Sequence, residues 1–233
     1  MISIIIPTLN EAKYLRKTLH ALRVNGSKEI KKEVIVVDSG SKDKTTITAV
    51  RGGARVIYET DAPKGKYFVL NRGAEFATGD VLMFLDADSI VPEGYDQDII
   101  DVTSKKGFVG GAFEFKLDGQ EWGLRVVEII NQFRYRVFPW YYGDQGVFVK
   151  TSVFKKVKGY PKKKIMESSD LCRLLWKQGK LKLIKKDMLT SPRRFLKYGI
   201  FKVLGWDFEI WFQDLLGKDV EKYAEEYWEF NQH

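Results

Sequence analysis

The chain reads as an α/β protein built on a Rossmann-like, mostly parallel sheet flanked by helices. Three observations carry that reading. Strand-like and helical patterns alternate four times in the first half of the chain, the rhythm of a doubly wound sheet. The apolar run Val81-Leu82-Met83-Phe84-Leu85 is short and unbroken, as in a parallel strand covered on both faces. An apolar fraction of 44% in 233 residues suffices for one large domain, alone or with a C-terminal appendage.

Each element has its own signal. Ile2 to Ile6 forms the first strand, which breaks at Pro7-Thr8-Leu9-Asn10-Glu11 and opens a helix. Leu15, Leu19 and Leu22 recur on one face of that helix. Val34 to Val37 is a second buried strand ending at Asp38, and Ser39-Gly40-Ser41-Lys42-Asp43 is a turn that caps the next helix. Ala54 to Tyr58 is a third strand, and Lys64 to Ala77 is a loop leading into a helix closed by Gly79. The strand ending at Asp86 follows.

The second half is less regular. Phe108 to Phe115 is strand-like, Trp122 to Val137 helical, and Asp144 to Val149 a turn into a strand. Thr151 starts a short helix, and Met166 to Gln178 is a helix with Leu171, Leu174 and Leu175 inward. Leu181 to Ile184 is a short strand, and from Arg193 onward the pattern is helical and aromatic.

Composition narrows the function classes. No run of 18 apolar residues occurs, so no bilayer span is expected. Met1 to Pro7 lacks a positively charged start and a small-residue cleavage site, and reads as a strand rather than a signal peptide. The only cysteine is Cys172, which excludes an internal disulfide and favours a reducing cytosol. Two histidines, His20 and His233, offer neither a His-rich metal site nor a Ser-His-Asp triad. No Gly-x-Gly-x-x-Gly follows the first strand and no Walker A occurs, against a dehydrogenase or a P-loop enzyme. The net charge of +8 favours anionic partners such as nucleotide sugars, lipid phosphates, an anionic membrane face or nucleic acid. Abundant lysine and glutamate also suit a thermophile. Acids interrupt every basic stretch and no nucleic-acid module is recognisable, so nucleic acid is not expected as a partner.

The chemistry centres on Asp86-Ala87-Asp88. Side chains of a strand alternate, so the two carboxylates face the same way if extended geometry persists. Two like charges at the mouth of a buried strand are tolerable when a cation sits between them or one takes a proton. Hard oxygen ligands favour Mg²⁺ or Mn²⁺, which keep waters and bind substrate phosphates. The competing reading is a solvated acidic turn that caps a helix from about Glu93.

Four features then stand in order: Pro7-Thr8-Leu9-Asn10-Glu11; Asp38-Ser39-Gly40-Ser41-Lys42-Asp43-Lys44-Thr45; Gly65-Lys66 with Leu70-Asn71-Arg72-Gly73 and Ala77-Thr78-Gly79-Asp80; and Asp86-Ala87-Asp88. This order resembles the family 2 glycosyltransferases, inverting enzymes of the GT-A fold. Tyr142-Gly143-Asp144-Gln145-Gly146 and Thr190-Ser191-Pro192-Arg193-Arg194-Phe195 look like a bacterial and archaeal branch of that family.

The resemblance implies a domain over 1–192 and a helical segment over 193–233. It implies that Pro7, Thr8, Glu11 and Asp38 hold the nucleoside of a nucleoside-diphosphate sugar, UDP as first expectation and GDP as second. Asp88 would ligate Mn²⁺ or Mg²⁺, with Asp86 acting on the ribose or through a metal water and Ala87 between them on the donor. Lys66, Arg72 and the Arg193–Arg194 pair are candidate phosphate cations, the arginine pair preferred because the guanidinium fork binds two oxygens. Asp144 and Gln145 would line the acceptor side, unless they form only a tight turn.

Similar enzymes start a late helix with Glu-Asp, whose Asp is the base. Here the segment is Glu167-Ser168-Ser169-Asp170, so Glu167 and Asp170 are the candidate bases, three residues apart on one helical face. A serine is too weakly basic for the task. The departure also permits an anionic acceptor that needs no base, or a nucleotide-sugar-binding protein with weak or no transfer.

The resemblance implies an acceptor hydroxyl or lipid phosphate. The tail carries a stripe of Ile200, Leu204, Phe208, Trp211, Leu215 and Leu216. It is expected to pack on the domain or on a second copy in a homodimer, with a membrane surface as the alternative that a lipid-linked acceptor would need. The expected location is cytoplasmic, in that alternative peripheral at the inner face of the membrane.

Overall fold

A computed structural model describes residues 1–61, 63 and 65–231, and their side chains as far as Tyr227. The predicted loop start at Lys64, and His233, lie outside the described residues. The strands are β1 (Ile2–Thr8), β2 (Lys32–Asp38), β3 (Arg55–Tyr58), β4 (Val81–Phe84), β5 (Ser89–Ile90), β6 (Phe108–Leu117), β7 (Val147–Lys150) and β8 (Lys180–Thr190). The helices are α1 (Ala12–Val24), α2 (Thr45–Arg51), α3 (Lys66–Glu75), α4 (Tyr95–Ser104), α5 (Trp122–Val137), α6 (Thr151–Lys156), α7 (Glu167–Trp176), α8 (Arg193–Tyr198), α9 (Ile200–Leu215) and α10 (Ala224–Asn231).

Among the described residues the strands form one sheet in the order β3-β2-β1-β4-β7-β6-β8-β5. β3, β2, β1 and β4 are parallel, and β6 runs parallel to β8. β7 is antiparallel to both β4 and β6, and β5 to β8. The fold is therefore α/β with a mostly parallel sheet, and each antiparallel pairing involves β7 or β8. Register brings Thr8 beside Asp38 and Ile5 beside Phe84. The carboxyl ends of β1, β2 and β4 thus share one rim, the rim at which open α/β sheets bind ligands.

Alternation along β1 divides the core. Ile5 joins Ile35, Val37, Leu82 and Phe84 on one face, covered in part by Val69 and Leu70 of α3. Ile4 and Ile6 join Val36, Met83 and Leu85 on the other, against Leu15 and Leu19 of α1 and Ile99 of α4. Burial on both faces is why these strands read as unbroken apolar runs. Each such side chain contributes about 1.5–3 kcal/mol by leaving water.

Four local expectations need correction. Asp86-Ala87-Asp88-Ser89 does not cap a helix; Ser89 enters β5, and α4 starts only at Tyr95 behind Gly94, whose φ is +70°. β8 is far longer than Leu181–Ile184. Lys182, Lys185, Lys186 and Asp187 hide its alternation, and its register with β6 slips between Phe113 and Glu114. On α7, Leu171 and Leu175 are buried but Leu174 is only half-buried, and Cys172 takes the inner place. The predicted stripe on α9 splits: Ile200 and Leu204 pack on the core, while Phe208 and Leu216 are exposed.

The C-terminal segment touches the rest of the chain in part just beyond α5 and just before α7. Phe138 packs on Trp211, and Ile210, Val220 and Ala224 close with Ile165 into a small separate core. Among the described residues no helix is long and apolar enough to cross a membrane.

Candidate functional site

Two cavities open at the shared rim. The larger, of about 700 Å³, is walled by the chain leaving β1 (Pro7, Thr8 and Glu11), by Asp86-Ala87-Asp88 after β4, and by Arg193 and Arg194. The smaller, of about 190 Å³, is walled by Tyr142, Glu167, Ser168 and the inner sides of α5 and α9. Lys66, Asp86, Asp144, Arg194 and Tyr227 belong to both walls.

At this junction Lys66, the first residue of α3, donates from Nζ to Asp86 Oδ1 at 2.9 Å. Burial works against the Lys66 charge, but the adjoining Asp86 carboxylate outweighs it and raises the lysine's pKa. The backbone of Gly143 lies against the same carboxylate: a Cβ there would stand 2.6 Å from Asp86 Oδ1. Asp88 meets Arg193, whose Nε lies 3.3 Å from Oδ2. Arg193 also grips Glu11 with both terminal nitrogens, at 2.8 and 2.6 Å, and stacks on Tyr14 at 4.4 Å.

The carboxyls are charged at a cost. Burial pushes Asp88 up to about 6; Arg193 opposes the rise, and Asp86 and Glu11 add to it. Burial, then the Asp86 charge, pushes Asp144 up to about 7. Asp144 Oδ1 is buried with no hydrogen-bond partner. Among the described residues no group of three or more His, Cys, Asp or Glu side chains is placed to hold a metal ion by itself. A pair of rim carboxylates beside an unpartnered carboxylate oxygen nevertheless fits a hard divalent ion that takes its remaining ligands from phosphate and water. Asp86 and Asp88 are the residues that would hold it.

Other expected residues lie elsewhere. Asp38 is buried off both cavities, accepting from Gly40 N, Ser41 N, Ser41 Oγ and Thr8 Oγ1. Arg72 is on neither cavity wall; it pairs with Glu75 and with Glu59, which lines the larger cavity, and stacks on Phe76. Gln145 is buried beneath the site, donating to Phe113 O, while its neighbour Asp144 stands on both cavity walls.

Glu167 and Asp170 part company. Glu167 is on the smaller cavity's wall, its pKa raised by burial against the pull of Lys66. Asp170 is off both walls and held by Arg173 at 2.5 Å and Lys163 at 3.2 Å. Ser168 is buried and bonds to Glu167 Oε1 at 3.4 Å. Arg194 pairs with Asp207, lies over Tyr227, and leaves Nη1 without a partner.

Three of the wall residues that were not anticipated bear on the chemistry. Tyr227 reaches both cavities from α10 and Arg134 reaches the smaller one from α5, where it stacks on Tyr142. Gly143 is the third. Its signal was present in Tyr142-Gly143-Asp144, but a glycine's neighbour cannot be read from a motif.

Known proteins share this architecture. A mannosyltransferase of Pyrobaculum calidifontis, solved with GDP-Man and Mn²⁺, superposes with a TM-score of 0.62 at 19% identity, over 81% of this chain and 56% of that one. Glucosyl-3-phosphoglycerate synthase of Mycobacterium tuberculosis, solved with Mn²⁺ and UDP-Glc, superposes at 0.56 and 20% identity, over 82% and 70%. These likenesses show a GT-A fold. In sequence, a PGL/p-HBAD biosynthesis glycosyltransferase of Mycobacterium bovis is 40% identical over 97 residues, which is 40% of this chain and only 37% of that relative's length. Residues 3–157, more than half of the chain, match the family model described as glycosyl transferase family 2, and the chain belongs to that family of glycosyltransferases.

Proposed function

We propose that this glycosyltransferase is metal-dependent and inverting, moving a sugar from a nucleoside diphosphate to an acceptor hydroxyl or lipid phosphate. One observation carries the reading: two cavities of unequal size meet at Lys66, Asp86, Asp144 and Arg194. A donor in one and an acceptor in the other would bring their reacting atoms to that shared wall. The larger cavity is in the size range of sites for drug-sized ligands, and Pro7, Thr8 and Glu11 line its end nearest β1.

Asp88 and Asp86 would hold the divalent ion, which when bound would neutralise the charge growing on the diphosphate. Lys66, Arg193 and Arg194 add fixed positive charge on the same wall. Glu167 faces the smaller cavity. Its raised pKa brings it nearer the value that suits a general base for a hydroxyl acceptor. Base and phosphates on opposite sides of the junction suit displacement with inversion. UDP is the first expectation for the nucleotide and GDP the second; relatives of the same fold were solved with one sugar nucleotide of each kind.

Calorimetry with UDP and GDP, with and without Mn²⁺, tests this. At least one nucleotide should bind only with metal, and Asp88→Asn should weaken it at least about tenfold. Absence of metal-dependent binding for both would overturn the reading. Ser168, standing where an Asp was expected, supports a second reading as a binding protein without turnover. Donor binding with no donor hydrolysis or transfer, unrestored by Ser168→Asp, would favour it.

A further inference from the structure

α5 and α9 lie side by side and parallel. Trp122 near the start of α5 meets Phe201 near the start of α9 at 5.4 Å, and Phe138 just past α5 meets Trp211 late in α9. Their inner sides wall the smaller cavity through Ile130, Arg134, Leu204 and Trp211. Their outer sides are also apolar. On α5, Trp122 is 71% and Phe133 72% exposed, with Ile129 and Val137 completing the stripe at helical spacing. On α9 the matching stripe is Phe201, Phe208, Phe212 and Leu216, all exposed. The two stripes join at Trp122 and Phe201, and exposed apolar surface of this kind marks an interaction site.

We propose that this face seats on an anionic bilayer surface, so that the acceptor enters the smaller cavity from the membrane. Three features select a bilayer over a second copy. Lysines border the patch: Lys197 beside Leu196, Lys202 beside Phe201, and Lys218 beyond Leu216 are exposed. The exposed acid within α9 is Glu209, whereas Asp207 and Asp214 face inward and are paired with Arg194, Lys163 and Arg173. Glu121 and Asp219 are exposed near the same face, so the rim itself is mixed in charge; it is these lysines together with the chain's net charge of +8 that match anionic headgroups over acyl chains. Phe208 belongs both to the patch and to the cavity wall, so a lipid against the patch already stands at the cavity. Inside, Tyr142 Oη, Asp144 Oδ1, Arg194 Nη1 and Trp211 Nε1 are buried without partners, a set suited to a polar headgroup. The acceptor half of this inference rests on the proposed transfer reaction; the docking half does not.

The experiment is vesicle flotation of the full chain. Vesicles of equal parts phosphatidylcholine and phosphatidylglycerol should carry the protein up at low salt, and phosphatidylcholine alone should carry little. Phe133→Glu with Phe212→Glu, both outside the cavity walls, should cut flotation at least tenfold. Lys197→Glu with Lys218→Glu should cut it on mixed vesicles only. Thermal melting and nucleotide calorimetry on the same variants should be unchanged, which separates loss of docking from loss of fold or of donor binding. No flotation, flotation indifferent to these variants, or a dimer in sedimentation velocity that the Phe variants dissolve would each overturn the proposal.

Discussion

Gly143 is where backbone geometry bears most directly on the chemistry. Its Cα side closes on the Asp86 carboxylate, and an added Cβ would stand 2.6 Å from Oδ1 and 3.0 Å from Cγ. Asp86 cannot yield freely, because Lys66 holds the same oxygen. Gly143→Ala should therefore displace Asp86 and weaken metal-dependent nucleotide binding about tenfold or more, with a change in melting temperature of a few degrees at most. Titration calorimetry beside thermal melting checks both parts. Glu167 gives the complementary case. Glu167→Gln keeps the shape and removes the base, so donor affinity should hold while transfer to a hydroxyl acceptor falls about 10²–10⁴-fold. An unchanged transfer rate would point to an acceptor that needs no base.

At the scale of elements, α7 and α9 are joined by charge rather than by apolar area. Asp214 of α9 is buried and accepts from Lys163 and Arg173 at 2.5 and 2.8 Å and from Ser169 Oγ at 3.1 Å. Asp214→Ala would leave those donors short of a partner and should cost about 1–3 kcal/mol. Because α7 begins at Glu167, the same variant should also lower transfer more than it lowers donor affinity. Denaturant melts and kinetics would show it.

None of this joint was legible in the sequence. Asp214 is one of several acids interspersed in a segment expected to pack on the domain or on a second copy, and nothing local singles it out as the inward one. The elements of the first half were legible, since β1, β2 and β4 are buried on both faces and read as apolar runs. β8 was not, because one edge of it is exposed and its lysines break the pattern. The carboxylate pair at Asp86 and Asp88 was legible because a charged pair ending an apolar strand needs a physical reason. The separation of Glu167 from Asp170 was not, since spacing on a helix places Cβ atoms and not the cations that capture one side chain.

For the whole molecule, the raised carboxyls set how stability depends on pH. Asp88 and Asp144 move from an ordinary 3.8 up to about 6 and about 7, chiefly through burial. Glu167 and Asp207 move in the same direction for the same first cause. Between roughly pH 4 and pH 7 the folded chain then holds more protons than the unfolded one, so these groups make stability fall as pH rises through that window. Glu33 acts with the opposite sign. Despite some burial, bonds from Ser3, Thr78 and Gly79 lower its pKa, so its contribution is present above its ordinary 4.5 and is lost as pH drops below that. The two windows meet near pH 4–5, where stability without metal should peak. Mn²⁺ binds ionised carboxylates, so it competes with protons at pH 5 and meets charged ligands at pH 8. Melting curves without metal should show the decline toward neutral pH, and Mn²⁺ should raise the melting temperature more at pH 8 than at pH 5. Replacing Asp88 and Asp144 together by Asn should flatten most of the decline and remove the Mn²⁺ response. A decline that survives this double substitution would place the responsible protons elsewhere in the molecule and separate its pH dependence from the site.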